Sequence, residues 1–179
     1  MKFKKIALLA MSTLALAACG GGGDVKVSSG VPSIDAAPHI KGTLLGAAFN
    51  AQTSVNGHEH GGTTLFIWGS VTTGETVQAD WYIYGLPKTK GTYACGTALS
   101  ETSGILQINL VDYRNEPANY YSANGAFGSS CSITVVDVSA TEVSGTFVAT
   151  LTQEAEGDPT SQVTMGSFRV PLNDFDLPV

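Results

Sequence analysis

Residues 39–179 predict an all-β fold: a single antiparallel β-sandwich or barrel-like domain of about eight or nine strands. Three observations carry this expectation. Apolar and polar residues alternate with period two in run after run, β-branched and aromatic residues fill those runs, and Gly, Asn and Pro clusters separate them. No stretch sustains a helical period between caps.

In chain order, Gly42–Phe49 and Thr63–Val71 read as strands, separated by a segment containing Asn56-Gly57. After Thr73-Gly74, Val77, Ala79, Trp81 and Ile83 alternate with Gln78, Asp80, Tyr82 and Tyr84, so one set faces a core and the other the outside. Leu106, Ile108 and Leu110 alternate in the same way with Gln107 and Asn109. Ala118–Ser122 follows, then Asn124-Gly125, then Ile133 and Val135 alternating with Ser132 and Thr134. Val143, Phe147 and Leu151 share a face with Gly145 and Ala149, opposite Glu142, Ser144, Thr146 and Thr150. Gly157-Asp158-Pro159 breaks the chain before a last strand, Gln162–Pro171. A transmembrane barrel fits poorly, because its strands need a continuous lipid-facing apolar band and two aromatic girdles. No internal repeat divides the chain into two domains.

Certain short motifs follow one another along the chain. Gly42-Thr43, Gly46 and Phe49 open the domain, and Gly91-Thr92-Tyr93 follows. Cys131-Ser132-Ile133-Thr134-Val135, Val143-Ser144-Gly145-Thr146-Phe147 and Gly166-Ser167-Phe168-Arg169-Val170 complete the series. This order resembles a group of small β-rich bacterial outer-membrane lipoproteins of unknown function, whose last strands carry SGTF and then GSF. The resemblance covers most of the domain and implies a fold and a location, but no active site. Gly145 and Gly166 read as bulge or close-packing positions within strands.

The start of the chain predicts an address. Lys2, Lys4 and Lys5 form a basic segment, and Ile6–Ala18 is uncharged and rich in Ala and Leu, too short to span a bilayer. The run ends in Leu16-Ala17-Ala18-Cys19, which resembles the lipobox of bacterial lipoproteins. Residues 1–18 are then a signal peptide and Cys19 the lipidated first residue; an ordinary secretory signal with a chance cysteine is the competing reading. Each buried CH₂ of a lipid chain contributes about 0.8 kcal/mol, so two or three chains anchor almost permanently. Residues 19–38 begin with Gly20-Gly21-Gly22-Gly23 and read as a flexible tether. Gly20 rather than Asp after the cysteine favours, by resemblance to Gram-negative sorting, the outer membrane.

Charge narrows the partners. The chain carries 9 basic and 15 acidic residues; losing Lys2, Lys4 and Lys5 leaves six basic residues and a net charge of −9. The remaining cations are scattered, so a phosphate backbone would be repelled and nucleic-acid binding is not expected. The expected partners are the membrane, through the lipid, and an envelope protein or glycan. Of the 3 cysteines, Cys19 goes to lipid, leaving Cys95 and Cys131 as an even pair in an oxidising compartment. A disulfide closing a loop of about 36 residues would contribute roughly 4 kcal/mol in the chain-entropy model. A catalytic thiol is the alternative, and no neighbouring His supports it.

Two features point to chemistry. Asn56-Gly57-His58-Glu59-His60-Gly61-Gly62 holds two histidines two positions apart, which on an extended segment point the same way. His58 and His60 could seed a metal site, but a structural zinc needs four protein ligands and a catalytic one three, so His39, Asp80 or Asp112 would have to join them. The flanking glycines favour a solvated hairpin loop instead. The second feature is aromatic: Tyr82 and Tyr84 share the face opposite Trp81, where they would stack on a sugar, grip a protein or pack under a second layer. Asp112-Tyr113-Arg114-Asn115-Glu116 reads as a charged turn, and no Gly-x-Ser-x-Gly elbow occurs. The sequence therefore predicts no catalytic residue and no cofactor. A non-catalytic binding module is the first expectation, and metal handling by His58 and His60 the second.

Overall fold

The computed structural model describes residues 33–44, 47–96, 105–114, 116–126, 128–153 and 161–173. The described residues form eleven strands: β1 (His39–Leu44), β2 (Ala47–Ala51), β3 (Thr53–His60), β4 (Thr64–Thr73), β5 (Thr76–Pro87) and β6 (Gly91–Ala94) in the first half. β7 (Gln107–Asp112), β8 (Asn119–Ala123), β9 (Ser130–Val138), β10 (Glu142–Gln153) and β11 (Ser161–Pro171) follow. Among the described residues there is no helix, and every strand pairing is antiparallel. The expected signal peptide (1–18), Cys19 and the glycine run lie outside the described residues.

Nine strands form one path in the order β2-β1-β11-β10-β8-β7-β5-β4-β3. Its ends curl toward each other into a nearly closed barrel. Gly57 of β3 bridges to Leu172 just past β11, and Asn173 donates its backbone N–H to Gly57 O at 2.9 Å. The Asn173 side chain adds a hydrogen bond to Asn56 Oδ1 at 2.8 Å. Space at Gly57 is tight: a Cβ there would lie 2.8 Å from Ile67 Cγ2 and 2.9 Å from Leu172 Cδ2, so these side chains would have to shift.

The long strand β10 forks the sheet. One edge pairs with β11 along its whole length, while the other pairs with β9 and then, at Thr152 and Gln153, with β8. β9 carries β6 on its outer edge. Cys95, just past β6, and Cys131 of β9 form a disulfide with Cα atoms 4.9 Å apart.

Gly145 and Gly166 occupy matched positions in the β10–β11 ladder. Gly145 is paired with Phe168 and Phe147 with Gly166, so each ring lies over the glycine opposite it. The SGTF and GSF motifs are two halves of one reciprocal packing unit, a device known to stabilise glycines in sheets. Gly145 also marks a register shift in the β9–β10 pair, the bulge expected there. Inside the barrel Trp81 is fully buried, edge-on to Phe49 at 5.1 Å and against Phe147 at 5.4 Å.

Several strand expectations change in the structure. Gly42–Phe49 is not one strand but the facing parts of the β1–β2 hairpin, with Leu44 opposite Ala47. Ala79, Trp81 and Ile83 point inward as expected, whereas Val77 lies beyond a register shift at the strand end and is 40% exposed. The outer side of β10 is not uniformly wet: Ser144 and Thr146 are buried where they face Arg169 and Ser167. There Arg169 reaches Glu142, and Ser167 donates its hydroxyl to Ser33 O at 3.1 Å. Residues 33–38 of the expected tether are thus tied to the barrel wall, with Asp35 paired to Lys41 at 2.6 Å. The expected breaker Gly157-Asp158-Pro159 falls between β10 and β11, outside the described residues.

Candidate functional site

The side chains on the outer face of β4, β5, β7 and β8 line up in rows because the four strands are in direct register. Trp68 is opposite Tyr82, Tyr82 opposite Asn109, and Asn109 opposite Ser122. One step along, Ser70, Asp80, Val111 and Tyr120 form a second row. In the other direction Tyr84 is opposite Gln107. Each outward residue alternates with a core residue, so burying Trp81, Ile83, Ile108 and Leu110 forces Tyr82, Tyr84, Gln107 and Asn109 outward.

The aromatic side chains of β4 and β5 stand as stacked plates. The Phe66 and Tyr84 rings are 4.5 Å apart, and Phe66 lies 5.2 Å from Trp68. Phe66 is also 6.1 Å from Tyr82 and within 8° of parallel to it. Tyr82 and Tyr84, 6.0 Å apart and within 22° of parallel, therefore make one wall along β5. Phe66 covers the β4 side of that wall, and the other side looks over β7. Both Tyr82 and Tyr84 are half-buried.

A cleft of about 340 Å³ opens there. Tyr82 and Tyr84 wall one side, Tyr120 of β8 the other, and Gln107, Asn109, Ser122 and Asn124 supply short polar side chains between them. Tyr120 is 62% exposed and stands free above its strand. Tall walls over a floor of short amides make the groove.

Hydrogen bonds hold the wall in place. Tyr82 donates its hydroxyl to Asp80 Oδ2 at 3.2 Å, Tyr113 donates to the same oxygen at 3.1 Å, and Ser70 donates to Oδ1 at 2.6 Å. Burial, then the Asp80 carboxylate beside it, pushes the Tyr82 phenol far above its ordinary range. Burial raises Tyr84 as well. Both rings remain neutral hydroxyl donors at physiological pH. Among the described residues lining the cleft there is no Asp, Glu, His, Lys, Arg or Cys. Such a surface can stack against a flat apolar face and exchange hydrogen bonds in both senses, since each amide both donates and accepts.

The histidines sit differently from the sequence expectation. His58, Glu59 and His60 are not in a loop but end strand β3, and the turn itself is Gly61-Gly62-Thr63, with both glycines at positive φ. His58 is only 7% exposed, edge-on to Phe66 at 5.1 Å and Trp68 at 5.7 Å. Burial, and His60 nearby, lower its pKa, so the imidazole is neutral near pH 7. His60 is exposed, and Glu59 pairs with Lys88. His39 does not join them: its Nδ1 is 2.8 Å from Ala37 O and its Nε2 3.1 Å from Ser167 Oγ. Asp112 is engaged as well, bound by Arg114 Nε at 2.8 Å and Nη2 at 2.7 Å, and these bonds hold its carboxyl below the usual range despite burial. Among the described residues no group of three or more His, Cys, Asp and Glu side chains gathers to hold a metal ion.

The Tyr82–Tyr84 pair was legible from alternation, but its partners were not. Gln107 and Asn109 appeared only as the polar half of a strand, and Tyr120, Ser122 and Asn124 carried no signal that they would face Tyr82. Comparison with known proteins adds no name to this surface: no family model, no curated protein and no solved structure matches the chain.

Proposed function

We propose that this chain is a lipid-anchored protein of the outer membrane whose barrel is a non-catalytic binding module, with the Tyr82–Tyr84–Tyr120 cleft as its saccharide site. The observation that carries this reading is the pairing of aromatic walls with an amide floor. A pyranose ring offers an apolar C–H face for the tyrosines and a rim of hydroxyls for Gln107, Asn109, Ser122 and Asn124. A protein partner would ordinarily ask for a broader patch with an apolar centre, and this cleft is narrow and half polar. The anchor rests on Cys19 and the run before it, and outer-membrane sorting on Gly20. The resemblance to small β-rich outer-membrane lipoproteins points to the same location.

Two measurements test the two halves. The full-length protein should take up labelled palmitate and Cys19→Ala should not; label on the variant would overturn the anchor. Detergent-solubilised protein should bind a neutral hexose oligomer, titrated by calorimetry. Truncating the wall with Tyr84→Ala should weaken that binding by tenfold or more, about 1.4 kcal/mol or more, in the range for removing an aromatic contact. Binding that survives Tyr84→Ala unchanged would place the site elsewhere.

A further inference from the structure

The cleft is uncharged, but one of its ends is not. Asp80 lies one residue pair along the strands from the Tyr82–Asn109–Ser122 row, next to Val111 and in the same row as Tyr120. Its three hydrogen-bond donors, Ser70, Tyr82 and Tyr113, are all neutral hydroxyls. None of the salt bridges among the described residues uses it: the cations there serve Asp35, Glu59, Asp137, Asp112 and Glu142. Asp80 is therefore a carboxylate fixed in position by three hydroxyls, with no cation among the described residues paired to it. Tyr113, 43% exposed, and Tyr120, 62% exposed, stand on the same side and offer ring faces. A carboxylate beside accessible phenol rings is the combination that attracts an ammonium group, by charge and by cation–π contact.

We propose that the occupant of the cleft is a saccharide bearing a protonated amine, an amino sugar, with the amine directed to the Asp80 end. This rests on the saccharide reading above and adds the sign of the ligand's charge. The same field disfavours an acidic sugar, and the net charge of −9 on the processed chain acts in the same direction at longer range.

The test titrates full-length protein in detergent with β-linked oligomers of glucose, glucosamine and glucuronate, matched in length, at a pH where the amine is protonated. At low salt the glucosamine oligomer should bind about two- to fivefold tighter than the glucose oligomer, the range for a solvent-exposed ion pair, and the glucuronate oligomer weakest. Raising the ionic strength to about 0.5 M should erase the difference, because the screening length falls to a few ångströms. Asp80→Asn should bring glucosamine to the level of glucose measured on the same variant. Ser70→Ala, which removes a hydrogen bond and leaves the charge, should keep the preference. Equal affinity for glucose and glucosamine in the unaltered protein at low salt would overturn the amine assignment alone, as would a preference that persists in Asp80→Asn. Should Asp80→Asn fail to fold, the salt dependence of the unaltered protein decides, and a preference insensitive to salt counts against the proposal. Binding of none of the three oligomers would overturn the saccharide reading with it.

Discussion

Gly166→Ala is expected to destabilise the barrel by about 3 kcal/mol, near the upper end of what overpacking a well-packed core costs. The glycine is needed for space rather than for an unusual backbone conformation. An added Cβ would run into the Lys41 carbonyl oxygen of the neighbouring strand and come within 2.5 Å of Phe147 Cζ. A flexible side chain could swing away, but here one neighbour is backbone and the other is a ring held in the core, 1% exposed. Relief requires β1 and β11 to separate at the Gly42–Gly166 pair, next to the seam where the sheet almost closes. Gly145→Ala should behave alike, since its Cβ would meet the Thr134 carbonyl oxygen and lie 2.6 Å from Phe168 Cζ. For a domain of this size the melting temperature should fall by roughly 10 °C. Met165→Ala, one residue away but 48% exposed, should change stability by no more than about 0.5 kcal/mol. A Gly166→Ala protein that melts within a degree or two of the unaltered one would show that the reciprocal Gly–Phe packing is not what these motifs are for.

Those motifs mark the boundary of what local sequence reveals. Period-two alternation correctly turned Trp81, Ile83, Ile108, Leu110 and Phe147 inward, because which face a side chain takes is decided within its own strand. Strand neighbours are not decided locally. That Asn109 faces Tyr82 depends on β7 lying beside β5, with β6 displaced to the edge of β9, and nothing within either strand encodes it. The same limit made the Asn56–Gly62 segment look like a loop. Gly57 suggests a turn when read alone, yet it lies within a strand, where Ile67 and, more than a hundred residues away in sequence, Leu172 crowd the space a Cβ would take. The histidine pair lost its third ligand for the same reason: the fold spends His39 on Ser167 and Asp112 on Arg114. The cleft was half legible, because one wall is a local pattern and the floor and opposite wall are products of register.

Removing the disulfide should be the largest single loss, roughly 4 kcal/mol by the chain-entropy model for a separation of 36 residues. The topology explains why so much rests on one bond. β6 is four residues long and pairs on one edge only, with β9. Among the described residues that follow it, Cys95 N–H bonds to Cys131 O at 3.1 Å and Gly96 N–H to Leu106 O at 3.0 Å. With the bond intact, the unfolded chain is closed into a loop and β6 stays on β9. Without it, the unfolded chain gains conformational freedom and β6 can peel away before the barrel opens. Cys131 is 8% exposed but Cys95 is only partly buried, so a reductant should reach the bond in the native protein and act faster still in mild denaturant. The decisive comparison is urea unfolding of the unaltered protein with and without reductant, together with a Cys95→Ala/Cys131→Ala protein. The reduced and doubly substituted forms should share one lowered midpoint, and amide exchange should accelerate first at Thr92, Tyr93 and Ala94. An unfolding midpoint that reductant leaves untouched, or two free thiols in protein taken from an oxidising envelope, would remove the staple from the account of this fold.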